Sequence, residues 1–511
     1  PIFVQHLDAD APDGGAGTVL SPAGSIADFT NTPGTDIIFV SAGDLMPEDL
    51  DGGLTLFPGQ RLLSDAVEHT FVATRTPGGP LERFILPGFD PDASLPILMN
   101  TTGSVIVMGA GWNEVSGFVF DGTQEDASRP LSDGDVNPTA AGFDVNRNIF
   151  TSTRRGSVVT VVDDGFGIYE LNAVFGAGEE SDQGLVVTAV GGSTTLELLV
   201  AGNEVLDVTG PNEDLDDDFK LDAGEDVNGN GVLDRGTAIE VNAVAGATIN
   251  ATDPFAIDDD PDDALEILPT GIFDNLANDN GQGIILNANG GGAINAELHG
   301  NLALRNQFDG AALNTNTGGT IAAAIGPLPE VEADVIEDVE EIIDEFVEEV
   351  SPNAILEEFV ADNRFDNNGI SEVPNHKGSG LHIRAFAGGM VVASIEDTQL
   401  NENGFAGLAI EGDDGTVMVM AERNRIDRPT TGAEGVHFLM KNSTTVALFQ
   451  ENEITGTPAT SDGMGNLNTD ADGNVIGNPD ISFGIGGKAS GGTFMLTVGG
   501  PDAENGNLFS G

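Results

Sequence analysis

Asparagine-hydrophobic steps recur through the second half of the sequence: RNQF ending at Phe308, DNRF at Phe365, RNRI at Ile426 and ENEI at Ile454. A longer stretch, LANDNGQGIIL over Leu276–Leu286, aligns without a gap on LNENGFAGLAI over Leu400–Ile410. Successive anchors lie 32 residues apart (276 to 308), 26 apart (400 to 426) and 28 apart (426 to 454). The 57 residues from Phe308 to Phe365 read as two turns carrying an insertion. Self-similarity at this period marks a supersecondary unit that cannot bury its apolar face alone and must stack on its neighbours.

Each unit reads as strand, turn at Asn-Gly or Gly-Gly, second strand, and return to the asparagine step. Examples are GLHIRAF/GMVVASI, GLAIEG/GTVMVMAERN and GVHFLM/TTVALFQENE. Stacked turns share one internal core and pair their backbones between turns. The expected fold is all-β, a parallel β-helix (solenoid) with acidic loop insertions and a short helical insertion. A sandwich of hairpins of similar length is the alternative. The common phase of Asn363, Asn424 and Asn452 favours the β-helix. These asparagines are expected at left-handed turn positions, stacked so that their amides satisfy one another along the axis.

Earlier in the chain, apolar runs bounded by Gly or Pro predict strands at Ile37–Val40, Leu54–Phe57, Ser104–Met108, Gly117–Phe120, Ser157–Val162, Gly184–Val190 and Thr194–Val200. The resulting division is 1–90 as N-terminal capping turns, 91–210 as turns with long loops, 211–237 as an acidic insertion, and 238–328 as further turns. A helical insertion at 329–360 and C-terminal turns at 361–511 complete it, with the stack expected to continue past the last residue. The insertion includes PEVEADVIEDVEEIIDEFVEEV, Pro329–Val350. It places Val331, Val335, Val339, Ile342, Ile343, Phe346, Val347 and Val350 on one helical face and acids on the other. A helix laid against the β-helix is expected, with docking to a partner as the alternative.

Charge narrows the partners. Eighty-four acidic residues against 18 basic ones leave a formal net charge of -66. No basic stripe exists to neutralise phosphates, so nucleic acid is not an expected partner, and anionic headgroups are disfavoured likewise. No apolar run is long enough to span a bilayer. The absence of cysteine excludes disulfides and thiolate metal sites.

The most specific chemical signal is DLDDDFKLDAGEDVNGNGVLDRGT, Asp214–Thr237. Asp214, Asp216, Asp218, Asp222 and Glu225 occupy positions 1, 3, 5, 9 and 12 of an oxygen-ligand loop, with the Lys220 carbonyl at position 7. A second loop begins twelve residues on. Asp226, Asn228, Asn230 and Asp234 fill positions 1, 3, 5 and 9, the Val232 carbonyl position 7, and Gly231 the sharp turn. The first loop has Phe219 at the turn position, and the second ends on Thr237 rather than Glu. The constellation resembles the calcium loops of dockerin modules and thrombospondin type-3 repeats. That resemblance implies Ca2+ as a structural cofactor; an unstructured acidic loop is the other reading. Asp470–Asp480 repeats the early spacing more weakly, and Asp258–Asp263 carries charge without loop spacing.

Catalytic signals are sparse. The sequence has no HExxH, no GxSxG elbow and no nucleotide-binding fingerprint. The repeat wording resembles right-handed parallel β-helix proteins of the pectate-lyase-like group, and the opening DIIFVSAGDL…GGLTLFPGQRLLS looks like the first turns of large bacterial surface β-helices. That fold hosts both polysaccharide enzymes and adhesins. A lyase would draw its base from Arg364, Arg384, Arg423 or Arg425, and a hydrolase would use carboxylates such as Asp163 and Asp164 or Asp413 and Asp414. One tryptophan, Trp112, and one tyrosine, Tyr169, leave little aromatic surface for a sugar cleft, and the 27 phenylalanines read as core stacking. The expected function is a non-catalytic structural or adhesive module, secreted or at the bacterial cell surface, binding surface or matrix components including polysaccharide. End-to-end self-association is expected through unpaired strands. The alternative is a polysaccharide lyase or glycoside hydrolase.

Overall fold

The computed structural model describes residues 2–12, 15–41, 50–74, 81–86, 88–90, 93–100, 104–109, 111–121, 131–132, 140–153, 155–178, 183–210, 236–252, 270–327, 363–369, 378–428, 434–456, 485–498 and 508–510. The expected helix at 329–360 and the runs 258–263 and 470–480 lie outside them. Among the described residues, every extended element is a strand, and no helix is long and apolar enough to cross a membrane.

The chain winds as a right-handed parallel β-helix in which each rung adds a strand to three stacked sheets. In one rung, Gln282–Asn289 lies in the first sheet, Ala293–His299 in the second and Leu302–Leu304 in the third. The next rung pairs in parallel, Leu286 opposite Leu313 and Ile294 opposite Ile321. The second sheet continues from Val4–Asp8 to Thr493–Val498 and the first from Leu54–Thr55 to Ile485–Ser490. An antiparallel hairpin, Thr70–Thr74 with Leu81–Ile85, interrupts this pattern.

Period-2 alternation fixes which side chains fill the interior. In the rung above, Ile284, Leu286, Ala288, Ile294, Leu298 and Ala303 point inward and are buried. Each fully buried Leu or Ile contributes about 1.5–3 kcal/mol. Toward the N-terminus the interior is aromatic: Phe118, Phe120, Phe143 and Phe150 are buried, and Phe120 stacks on Phe150 at 4.9 Å. Through the middle rungs the interior is aliphatic, so phenylalanine stacking accounts for only part of the core.

The asparagine steps that look alike in sequence belong to two different ladders. Asn148, Asn172, Asn203, Asn275, Asn301 and Asn363 line the corner between the second and third sheets, where Asn148 Oδ1 accepts the Phe118 N–H and each later Oδ1 accepts the backbone N–H and the Nδ2 of the asparagine one rung earlier. Thr398 breaks this ladder, and Asn424 and Asn452 resume it. Asn280, Asn306, Asn368 and Asn403 form a parallel ladder at the corner between the third and first sheets.

The sequence reading of these steps is corrected at four points. Asn306 of RNQF belongs to the second ladder and Asn363 of DNRF to the first, so Phe308 and Phe365 are not equivalent. Between them lies one turn with an insertion, not two, because Leu302 pairs directly with Arg364. The ungapped match of Leu276–Leu286 to Leu400–Ile410 also fails, because Asn280 and Asn403 share a ladder whereas Ile284 and Leu408 share a sheet position, so 403–408 holds one extra residue. Finally, the ladder asparagines are not themselves left-handed. That conformation falls on the residue before each: Arg147, Leu171, Gly202, Asp274, Gly300, Arg423 and Glu451, with φ between 52° and 61°.

Candidate functional site

The sequence-predicted ligands Asp214, Asp216, Asp218, Lys220, Asp222, Glu225, Asp226, Asn228, Asn230, Val232 and Asp234 lie outside the described residues. The base of their insertion is described. It leaves the third sheet after Glu204–Val208 and enters the first at Thr237–Val244. Gly236 has a φ of 62°, and a Cβ there would come within 2.2 Å of the Thr209 carbonyl carbon. The two ends of the insertion therefore touch. Both are tied to the next rung, Gly281 N–H donating to Val208 O and Gln282 N–H to Gly236 O, each at 2.8 Å. An insertion with joined ends can order around an ion without shifting the register of the stack. Among the described residues, no three or more His, Asp and Glu are grouped to hold a metal.

Further along the first sheet, four ionisable side chains that sequence reasoning did not group come together. Asp309 sits just before the strand Ala311–Asn316, His382 and Arg384 in the next rung, and Glu411 in the one after. His382 and Arg384 alternate with the inward Leu381, Ile383 and Ala385, so they point outward, yet both are buried. Asp309 Oδ2 lies 2.9 Å from Arg384 Nη2 and 3.1 Å from His382 Nδ1, and Asp309 Oδ1 accepts the Ser379 N–H at 2.9 Å. On the far side, His382 Nε2 lies 3.4 Å and Arg384 Nε 3.9 Å from the Glu411 carboxylate. Nδ1 of His382 is also 2.5 Å from Arg384 Nη2. One ring nitrogen cannot both donate to Asp309 and accept from Arg384, so the protonation of the ring decides which of the two contacts is a hydrogen bond.

Burial would raise the Asp309 carboxyl, but the His382 and Arg384 charges and the hydrogen bonds from His382 and Ser379 hold it well below the usual carboxylate range. Burial and the Arg384 charge would lower His382; the charge and hydrogen bond of Asp309 and the hydrogen bond to Glu411 outweigh them and raise it. With His382 protonated, two cations meet two carboxylates, so the cluster closes on itself as a neutral unit. The sequence signal was the alternation of charge with apolar residues in LHIRAF.

A second constellation lies on the second sheet near the N-terminal end. Arg61, Glu114 and Asp144 stand in register on successive rungs, and Glu170 lies one rung further, opposite Asn146. Arg61 forms an ion pair with Glu114. Asn146 Nδ2 donates to Asp144 Oδ1 at 2.6 Å, and Asn146 Oδ1 accepts from Ser116 Oγ at 2.6 Å. Burial first, then the charges of Glu114 and Glu170, push the Asp144 carboxyl up to about 8. Burial likewise raises Glu170. Neighbouring carboxyls thus differ in environment, one beside an arginine and one pushed up by burial and like charge.

The residues named from sequence are not brought together. Arg364 pairs with Asp366, and Arg423 with Glu396, Asp397 and Glu422. Arg425 begins a third-sheet strand away from Arg384. Asp163 and Asp164 lie in a turn, where Asp164 Oδ1 accepts the Thr195 N–H at 2.7 Å. Asp413 binds Lys441, and Asp414 is left-handed at 58°. Tyr169 is an interior residue bonded to Ser157 and to Val186 O, whereas Trp112 is exposed. Comparison with known protein families, with curated proteins and with solved structures finds no match.

Proposed function

We propose that the chain is a non-catalytic structural or adhesive module of the cell exterior, secreted or held at a bacterial surface, with Ca2+ bound in the 214–234 insertion as a structural ion. The observation that carries this reading is the use of polar side chains along the stack. The buried asparagines bond to the rungs before and after, and the buried Asp309, His382 and Arg384 pair with one another and face the half-buried Glu411 on the first sheet. Arg384, Arg364 and Arg423, which a lyase would need free as a base, are held by carboxylates. Partners are surface or matrix components, polysaccharide among them. End-to-end association fits the same reading.

Glu114 and Asp144 favour a second reading, a glycoside hydrolase. In-register carboxyls, one paired with an arginine and one pushed up to about 8, are what a base and an acid require. Incubation with acidic and neutral polysaccharides, read for new reducing ends and unsaturated products, separates the two. The module reading expects retention on a polysaccharide without turnover. Turnover abolished by both Asp144→Asn and Glu114→Gln would establish the hydrolase instead.

A further inference from the structure

The outward face of the second sheet carries an apolar stripe that no other described element covers. Val392, Met418 and Val446 stand in register on three successive rungs, beside Met420 and Leu448 in the next row. Val392, Met418, Met420 and Val446 are each exposed by between 37% and 41%. Ala322 and Ala324 extend the face one rung toward the N-terminus. Over these rungs the outward positions are uncharged except Glu396 and Glu422 at the third-sheet edge. In a chain of net charge -66, such a strip needs a partner.

The same fold shows how such a face is covered elsewhere. After Arg61–Ser64 the chain leaves the corner between the second and third sheets, and it returns at Ile97–Leu98. On the way Leu86 packs with Ile37, Phe39 and Leu63, the outward apolar residues of that sheet. Gly88 passes so close that a Cβ would meet the Phe39 ring at 3.0 Å, and Leu86 N–H is anchored to His69 O at 2.7 Å. The excursion after Thr320–Ile325 leaves from the same corner and returns at Arg364, one rung before Val392. Its sequence carries the apolar spacing Val331, Val335, Val339, Ile342, Ile343, Phe346, Val347 and Val350.

We propose that the Val392–Met418–Val446 stripe is the docking surface for the apolar positions of segment 331–350 of the same chain. A helical segment from Val331 to Val350 is about 28 Å long, and the stripe from Ala322 to Val446 crosses three rung steps of about 4.8 Å, so the segment is long enough to cover it. The acids of the segment then face water, away from the stripe. A second copy is disfavoured, because it would bring another -66 against the same surface. The proposal stands apart from the module reading, because it concerns how the chain covers its own sheet.

The chain lacks cysteine, so Met418→Cys supplies a single thiol for labelling in the full chain. The expected result is slow labelling that accelerates about tenfold or more when Ile343→Asp and Phe346→Asp are added, while Asn316→Cys on the first sheet labels equally in both backgrounds. A disulfide between Met418→Cys and Ile343→Cys within one chain, absent for Met418→Cys with Glu340→Cys, gives a second measurement that does not depend on the aspartate variant folding. Equal Met418→Cys labelling in both backgrounds with no intrachain disulfide overturns the proposal. So does protection that appears only as protein concentration rises, which assigns the stripe to a second copy.

Discussion

Removing the Asn301 side chain isolates what the asparagine ladder contributes to stability. Asn301 is fully buried. Its Oδ1 accepts the Asn275 N–H at 3.2 Å and Asn275 Nδ2 at 2.9 Å, and its Nδ2 donates to Ile272 O at 2.7 Å and to Asn363 Oδ1 at 3.1 Å. In Asn301→Ala, Asn275 Nδ2 keeps Val200 O, and Asn363 Oδ1 keeps the N–H of residue 301. The Asn275 N–H and the Ile272 carbonyl lose their side-chain partner. The Ile272 carbonyl keeps its place in the parallel pairing with Leu298 and His299, so the stranded Asn275 N–H sets a loss of about 1–3 kcal/mol. Asn316→Ala, at an exposed first-sheet position, should change stability by less than about 0.5 kcal/mol. Because stacked repeats open locally, urea midpoints should be joined by hydrogen exchange at the Asn275 amide, expected to speed up about tenfold or more. Equal effects of Asn301→Ala and Asn316→Ala would refute the ladder's role.

The buried ionic cluster makes a non-additive prediction: Arg384→Ala costs up to about 3–5 kcal/mol by leaving Asp309 and Glu411 with His382 as the remaining cationic partner in the cluster, whereas Asp309→Leu with Arg384→Leu costs far less than the sum of the single changes. Because the native state raises the His382 pKa, the stability from its protonated ring is fully present below the ordinary histidine value and is lost as pH rises through the folded one. His382→Gln should flatten that alkaline decline in denaturation midpoints. Asp309 has the opposite sign, its contribution present above the ordinary carboxylate pKa and lost as pH falls through the depressed folded one. At Asp144 the native state binds the extra proton between the ordinary carboxylate value and about 8, so stability falls as pH rises across that window. Asp144→Asn should remove this fall and raise the midpoint at its alkaline end.

Much of the architecture was legible because its signals are local. Runs such as Gly184–Val190 and Thr194–Val200 alternate strongly enough to mark strands, and they match Gln183–Val190 and Thr195–Ala201 within a residue. The phase of Asn363, Asn424 and Asn452 also held, because each is fixed by its neighbour's backbone N–H. The two ladders were merged because Asn306 and Asn363 sit in nearly identical tetrapeptides, and only pairing between rungs separates them. The ionic cluster was hidden for a similar reason: Asp309 and His382 are 73 residues apart and meet only because one rung carries the long insertion at 328–362. Glu114 and Asp144 meet in the same way across one rung. The spacing of the acids in the insertion is a local signal that motivates the calcium proposal, and the fold joins the ends of that insertion at Thr209 and Gly236.

The central claim is a rigid exterior module whose acidic insertion is held by calcium. Calorimetric titration of the full chain with Ca2+, with melting curves in calcium and in chelator at fixed ionic strength, tests it most directly. The account predicts saturable binding of two ions and a higher melting temperature in calcium. Heats that do not saturate, together with identical melting in calcium and chelator, would contradict it and leave the acidic run as a solvated spacer.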